Sequence, residues 1–367
     1  MDTFMETDLK KKRGGLCGMF NKRRIRIITA IAVFLAVSVF GVDAAKALTV
    51  TDMAGRKVTV PDSIRKVYAP SPYGSYIMYS IDPSMLAGLN LPIRDEDMKY
   101  FPKAVRNLPL IGSIGGQGRT ANIEVLLKAK PDLLIMWSAS RSAINDKAEE
   151  TLKKLNTPYV YAVAESLADY PDVYQFLGKV LKKEKRTKQL SSYSRKTLNE
   201  IKDVVSRIPA KKRPSVYYAE GVDGLSTECD DSIHVELLKL AGDTDVHRCH
   251  TSCHKGFEKV SMEQVMLYNP DVIIAQEKVF YDKVFKDPVW RNIKAVREGR
   301  VYLIPRHPFN WFDRPPSFMR ILGLKWLTHI LYPAEYRIDI IKEAREFYRL
   351  FLGVELSTQD MKKILYP

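Results

Sequence analysis

A near-repeat that occurs twice at one spacing limits the folds open to this chain more than any other feature. Residues 122–135 read NIEVLLKAKPDLLI and align without a gap on residues 261–274, which read SMEQVMLYNPDVII, at an offset of 139. In each copy a polar residue suited to a helix N-cap opens a short amphipathic stretch, and Pro-Asp ends it. The run of Leu, Ile and Val that follows is typical of a buried parallel strand. The repeat predicts two α/β lobes with related connections, the alternative being a chance likeness of two common helix-to-strand turns.

Both halves continue with the same alternation of elements. Residues 146–155 and 159–163 predict a helix and a strand after the first copy, and residues 289–297 and 301–304 predict the same pair after the second. An α/β chain with two Rossmann-like lobes is therefore expected.

The segment between the halves carries a helical pattern. It has no glycine from Lys179 to Ala219, and its apolar residues recur at helical spacing. We expect one long rigid α-helix over 167–208 that joins the lobes; two helices broken near 182–188 are the alternative. The predicted units are a leader over 1–47, an N-terminal lobe over 48–166, this connecting helix, and a C-terminal lobe over 209–367.

The first 47 residues have the pattern of an export signal. Basic residues dominate positions 1–26, an uncharged apolar run follows from Ile27 to Val42, and Ala45-Lys46-Ala47 provides a small-residue cleavage site. The run is short for a membrane span, which needs about 20 apolar residues. We expect a cleaved signal peptide and a periplasmic protein that begins after Ala47, with an uncleaved anchor as the alternative. Either Met1 or Met19 could be the true start.

Charge and motif content exclude several functions. The net charge of the 367 residues is +15, and without the leader 49 basic and 39 acidic residues remain. No phosphate-binding glycine loop, zinc-finger spacing or ribonucleoprotein motif is present, so nucleic acid is not the expected partner. Hydrolase motifs such as G-x-S-x-G and H-E-x-x-H are absent as well, and we expect no enzyme activity and no intrinsic cofactor. An anionic small ligand or a membrane-side partner fits the remaining basic excess.

Several segments resemble the periplasmic substrate-binding proteins of ABC importers for ferric siderophores, haem and cobalamin. The resemblance rests on TDMAGRKVTVP (51–61), the two Glu…Pro-Asp repeats, GRVYLIP (299–305) and WFDR (311–314), and it extends over nearly all of residues 48–367. It implies a bilobal receptor, acting as a monomer, with a ligand cleft between the lobes. The implied ligand is a metal chelate, first of all a ferric siderophore-like Fe(III) complex. Cobalamin, haem, or a nickel or cobalt chelate are alternatives, as is a permease-independent periplasmic metal carrier.

The resemblance also implies a role for the repeat. In the cobalamin receptor of this family, a glutamate of each lobe docks onto arginines of the permease dimer in the inner membrane, and the matching positions here are Glu124 and Glu263. The competing interpretation is that both residues only favour the first turns of their helices.

Ligand-binding residues are expected in loops at the carboxyl ends of the strands. Aromatic rings offer stacking surface and arginines offer charge-assisted hydrogen bonds, a mixture that suits a bulky or polyanionic metal complex. Packing in the core and solvation at the surface are the competing interpretations. The candidates are Tyr73, Arg119, Trp137, Tyr218, Arg306, Phe309, Trp311 and Arg314.

A cluster of histidines and cysteines lies just before the second repeat. Residues 247–254 read HRCHTSCH and hold three of the six histidines and two of the four cysteines, a density suited to a soft or borderline metal. The resemblance implies that His250 or His254 completes iron coordination. In an oxidising compartment a disulfide among Cys229, Cys249 and Cys253 is the alternative, and the sequence leaves both open.

Overall fold

The structure is a computed structural model that describes residues 47–114, 119–138, 150, 153–242, 244–249 and 256–366. The chain from Leu48 onward forms one compact unit. The expected signal peptide lies outside the described residues apart from Ala47, so its cleavage stays a prediction. Within the described ranges, no helix combines the length and apolar character needed to cross a membrane.

We number the described elements in chain order. The strands are β1 Ala47–Thr51, β2 Lys57–Pro61, β3 Val67–Tyr68, β4 Leu133–Ser138, β5 Tyr159–Val163, β6 Val216–Ala219, β7 Ser226–Thr227, β8 Glu258–Lys259, β9 Val272–Ala275 and β10 Val301–Leu303. The helices are α1 Pro72–Ile81, α2 Lys103–Arg106, α3 Ile123–Ala129, α4 Tyr170–Leu181, α5 Glu184–Ser206, α6 Glu236–Leu240, α7 Met262–Tyr268, α8 Lys278–Val284, α9 Lys294–Arg297, α10 Arg320–Leu331, α11 Ile340–Phe347 and α12 Thr358–Leu365. Short 3-10 turns and one π-helical turn, Tyr348–Leu352, connect them.

Each lobe is built on a parallel sheet. In the first lobe the strand order is β3-β4-β5, and in the second it is β6-β9-β10. The β4 and β9 strands are buried along their central residues, which explains why both are continuous apolar runs. The β1-β2 hairpin and the antiparallel pair β7-β8 are accessory. The expectation of an α/β fold with two lobes is confirmed.

The two copies of the repeat, 139 residues apart, form matching helices and strands. Helix α3 and helix α7 begin and end at that offset, and Lys130 and Asn269, which end them, both have left-handed backbone conformation. The aspartates of the two Pro-Asp pairs then act alike. Asp132 Oδ2 accepts a hydrogen bond from the backbone N–H of Lys66 at 2.8 Å, and Asp271 Oδ2 accepts one from Ser215 at 2.8 Å. Each aspartate therefore ties the central strand of its sheet to the start of the neighbouring strand.

The segment expected to be one helix over 167–208 is two antiparallel helices. Lys182 adopts a left-handed conformation between α4 and α5 and reverses the chain. The helices pack closely, with the Ser191 hydroxyl donating to the Pro171 carbonyl at 2.8 Å, and Gly178 lies against Thr187 where a larger residue would overlap it. The single-helix expectation was wrong, and the alternative of two helices broken near 182–188 is what the structure has; a regular apolar spacing continues through the two-residue reversal and does not distinguish the two.

Helix α5 still connects the lobes by itself. Near its start, Arg186 donates to the Ser80 carbonyl of the first lobe at 2.8 Å. Near its end, Glu200 accepts a hydrogen bond from Tyr336 of the second lobe at 2.8 Å. Its 23 residues span about 34 Å. One rigid element therefore contacts both lobes.

The close packing of helix α10 against the backbone at Trp311, within the second lobe, gives a stability prediction. A Cβ atom on Gly323 would overlap the backbone carbonyl of Trp311, which has no side-chain freedom to yield. We expect Gly323→Ala to lower the free energy of unfolding by about 1 to 3 kcal/mol in urea denaturation. Ser192→Ala, on an exposed position of α5, is the control and should change it by less than about 0.5 kcal/mol. Equal stability of Gly323→Ala and the native protein would contradict the packing described.

Candidate ligand cleft

A cavity of about 240 Å³ lies between the two lobes. The first lobe contributes α1 and the loop after β3, and the second lobe contributes the segment that follows β10, so the cavity sits at the carboxyl ends of parallel strands. Its lining residues are Pro72, Ser75, Tyr76, Tyr79, Leu86, Gly88, Leu89, Asn90, Leu91, Pro92, Ile93, Arg94, Asp97, Phe101, Val105, Arg306, Pro308, Phe309, Asn310, Arg314 and Pro315.

Aromatic rings from both lobes meet at one wall of the cavity. Phe309 of the second lobe lies with its ring centroid 4.1 Å from that of Tyr76 and 5.6 Å from that of Phe101, both in the first lobe. These rings offer the cleft an apolar surface, and their mutual contact also holds the lobes together.

Polar contacts close the same side of the cleft. His307 Nδ1 lies 2.7 Å from Asp97 Oδ1 across the lobe boundary. Arg94 donates from Nε to the other oxygen of Asp97 at 2.6 Å and from its terminal nitrogen to the Arg306 carbonyl at 3.0 Å. The guanidinium of Arg94 is therefore already paired within the protein and is less available to a ligand.

The two other arginines of the lining differ in how firmly they are paired. Arg306 reaches only 3.8 Å from Glu277, and its side chain is 38% exposed. Arg314 contacts Glu220 at 2.7 Å and also Glu228, with the Phe257 ring 4.0 Å away. Of the lining arginines, Arg306 is the one most available to an anionic ligand.

The pocket around Arg314 holds more negative than positive charge. Glu220, Glu228 and Asp313 are fully buried around this one guanidinium. Burial, opposed by Arg314, raises the pKa of Glu220 to about 7, and the neighbouring carboxylates add to the rise. Asp313 Oδ1 also lies 2.6 Å from His234 Nδ1. Arg314 therefore serves first to neutralise buried acids.

Two of the expected ligand contacts are core residues. Trp311 is fully buried and donates from Nε1 to the Tyr348 hydroxyl at 3.3 Å. Tyr218 is also fully buried, and its hydroxyl donates to Gln276 at 3.1 Å. The expectation that both bind ligand is corrected: each ring packs inside the second lobe because its polar atom finds a partner there.

The remaining candidates are spread around the cleft. Arg306, Phe309 and Arg314 line the cavity. Tyr73 is partly buried on α1, and its pKa is raised by burial and by the nearby Asp313. Trp137 lies edge-on to Tyr170 at 5.4 Å, outside the lining. Arg119 is exposed, and His250 and His254 lie outside the described residues.

Sequence reasoning missed several residues of the lining. Tyr76, Asn90, Arg94, Asp97 and Asn310 contribute to it. The charged run at 94–97 is typical of a solvated surface; Asp97 lies in the lining because it meets His307, 210 residues away, which one sequence does not reveal.

The repeat places Glu124 and Glu263 alike at the starts of α3 and α7. Asn122 caps α3 by accepting from the Val125 N–H at 3.1 Å, and Ser261 caps α7 by accepting from Gln264 at 3.2 Å. The Glu124 side chain is 75% exposed. The pKa of Glu263 is lowered by hydrogen bonds from its own backbone N–H and from Ser261, which keeps it anionic.

Three groups of side chains could hold a metal among the described residues, and two of them share Cys229. Glu96, Asp97 and His307 form one beside the cavity, although Arg94 already occupies one oxygen of Asp97. Cys229, Cys249 and Glu258 form the second, and Cys229, Asp230 and Asp231 form the third. The two cysteines are joined in a disulfide, the alternative that the sequence left open.

The fold and the cleft agree with what known proteins show. A sequence profile of the periplasmic binding protein family matches residues 102–308, more than half of the chain. The chain belongs to this family. An ABC transporter solute binding protein from Sulfurospirillum deleyianum has a structure that matches with a TM-score of 0.80 and 40% sequence identity, over 87% of this chain and 99% of that one. The protein is thus an extracytoplasmic solute-binding protein of an ABC transporter, as the resemblance implied.

The curated relatives bind different solutes. The molybdate-binding protein MolA of Haemophilus influenzae is 23% identical over 333 residues, which cover 82% of this chain and 90% of that protein. The high-affinity heme uptake system protein IsdE of Staphylococcus aureus is 26% identical over 234 residues, which cover 60% of this chain and 75% of that protein. Membership of this family therefore does not determine which solute a protein binds.

The buried carboxylates predict a pH dependence of stability. The pKa of Glu220 is about 7 in the folded protein against an ordinary value of 4.5, so its favourable share of stability is present below pH 4.5 and is lost as the pH rises through 7. In urea unfolding, Glu220→Gln should gain stability relative to the native protein between pH 4.5 and 8, by up to about 3 kcal/mol. Glu335→Gln, at an exposed position, is the control. A difference from the native protein that stays constant with pH would rule out this account.

Proposed function

We propose that this solute-binding protein captures a compact anionic metal complex in the cavity between the lobes and delivers it, as a monomer and without chemical change, to its permease. The observation that carries the proposal is the wall formed by Phe309 and Tyr76 next to the loosely paired Arg306. An aromatic face suits the organic part of a chelate, and a guanidinium suits its anionic oxygens.

Cavity size favours a compact ligand. Pockets for drug-sized molecules measure about 300 to 1,000 Å³, and this cavity measures about 240 Å³. That argues against the macrocycles of haem and cobalamin in this conformation. A small ferric complex with siderophore-like chelating groups remains the first candidate, because a full-sized siderophore meets the same size limit as haem, and a bare oxyanion such as molybdate would not need the aromatic wall. A compact nickel or cobalt chelate fits the same description.

Delivery to the permease rests on Glu124 and Glu263. The offset of 139 residues gives both the same place at the start of an exposed helix, one on each lobe. Two equivalent anionic contacts match a dimeric permease with cationic receiving sites. The alternative of a permease-independent carrier is disfavoured by the Cys229–Cys249 disulfide, because it withdraws two soft ligands from metal binding.

Substitution of Arg306 tests the cleft. Arg306→Gln should weaken binding of the anionic complex by about 10- to 100-fold, since a charge-assisted hydrogen bond is lost while no buried carboxylate is left unpaired. Isothermal titration with a small ferric chelate, with molybdate and with haemin measures the effect and compares the three solutes. Arg291→Gln, an exposed position of the same lobe, is the control. Unchanged affinity for every solute that binds would contradict the proposed site.

Charge reversal tests delivery. Glu124→Arg and Glu263→Arg together should abolish uptake of the labelled complex in cells and leave its affinity for the purified protein unchanged, because both residues lie away from the cavity lining. Glu298→Arg, at an exposed position of the second lobe, is the matched control and should retain uptake. Normal uptake by the double variant would refute the docking role.

A further inference from the structure

A second constellation of reactive side chains lies away from the cavity lining. The disulfide Cys229–Cys249, with its Cα atoms 5.6 Å apart, joins the segment after β7 to residues 244–249. Cys229 is 1% exposed, whereas Cys249 is partly accessible. The solute-binding role uses none of these groups.

The atoms around the disulfide have the spacing of a metal site. Both Sγ atoms and a carboxylate oxygen of Glu258 lie within 4.8 Å of one another. Cys249 Sγ lies 3.8 Å from each Glu258 oxygen and 3.9 Å from His247 Nε2. Donor atoms around a tetrahedral zinc ion are separated by roughly 3.3 to 3.8 Å, given metal–ligand bonds of about 2.0 to 2.3 Å. The separations from Cys249 are therefore close to those that such an ion requires.

The histidine of this group is already oriented. His247 Nδ1 lies 2.9 Å from the Tyr268 hydroxyl, and Nε2 lies 2.6 Å from Glu258 Oε2. A hydrogen bond at the outer nitrogen is the usual way in which a metal-binding imidazole is fixed. For both side chains to face an ion, the hydrogen bond between His247 and Glu258 must lengthen, and the two sulfurs must move apart once the S–S bond is broken.

The geometry points to a redox-controlled zinc site: once a dithiol reductant has opened the Cys229–Cys249 disulfide, both cysteine sulfurs, Glu258 and His247 bind one divalent cation of the zinc class. This inference goes beyond the proposed solute transport and does not depend on it.

The chemistry balances in two steps. The dithiol transfers two electrons and two protons to the disulfide, the S–S bond breaks, and the donor becomes a disulfide itself. The metal then displaces the two thiol protons to solvent and forms two metal–sulfur bonds. In the reverse direction a disulfide oxidant accepts two electrons from the sulfurs and two protons from solvent and becomes a dithiol, while the Cys229–Cys249 bond re-forms; this removes two of the four ligands and releases the ion. The oxidised protein therefore has no site of this kind.

Cobalt binding tests the site directly. The full chain is reduced, freed of reductant by gel filtration under anaerobic conditions, and titrated with Co²⁺. We expect one equivalent to bind with the thiolate-to-cobalt absorption in the near ultraviolet and the visible bands of a tetrahedral ion, and Zn²⁺ to displace it. The oxidised protein should show neither band.

Variants locate the ligands. Cys249→Ser should abolish the thiolate band, and Glu258→Gln, which removes neither sulfur, should weaken Co²⁺ binding by about 10- to 100-fold. Cys253→Ser is the control and should bind as the native chain does. Circular dichroism verifies that each variant is folded. A reduced protein without the thiolate band, an unchanged affinity in Glu258→Gln, or a band that Cys253→Ser removes would each overturn the inference.

Discussion

The packing of the segment after β10 against the first lobe is the contact on which the cleft depends. Phe309 lies against Tyr76, and His307 meets Asp97, so one short stretch of the second lobe supplies both an aromatic wall and a polar link. Helix α5 contacts both lobes behind it. Because the link and the helix fix the lobes at two places, the cavity is formed before a solute enters, which limits the ordering that binding requires.

Charge in the cleft is determined by local pairing rather than by the basic excess of the whole chain. The net charge of +15 suggests an attraction for anions at every arginine. Arg314, however, is surrounded by buried acids, and Arg94 is bound to Asp97. Among the lining arginines of the described ranges, only Arg306 has a weak internal partner. Selectivity among anions is thus expected to follow the few groups near Arg306.

The repeated helix–strand unit and the alternation of helices and strands could be predicted from the sequence. The two α/β lobes, the capped helices at Asn122 and Ser261, and the strands that follow Pro-Asp could all be predicted, because local capping and apolar runs decide them. The sequence left one helix and two helices broken near 182–188 both open, since a left-handed lysine leaves no compositional sign that would decide between them. Trp311 was placed in the cleft from its polar neighbours, yet its partner Tyr348 lies 37 residues away. Contacts at that distance decide burial, and one sequence does not reveal them.

The most direct test of the account is the position of the metal in crystals grown with a small ferric chelate. Anomalous scattering at the iron edge locates the ion without assumptions about the organic ligand. The account predicts one peak inside the cavity, between the Phe309 ring and the Arg306 guanidinium. A chelate that binds in solution but places its iron outside the cavity, at Cys249 or on the surface, would contradict it.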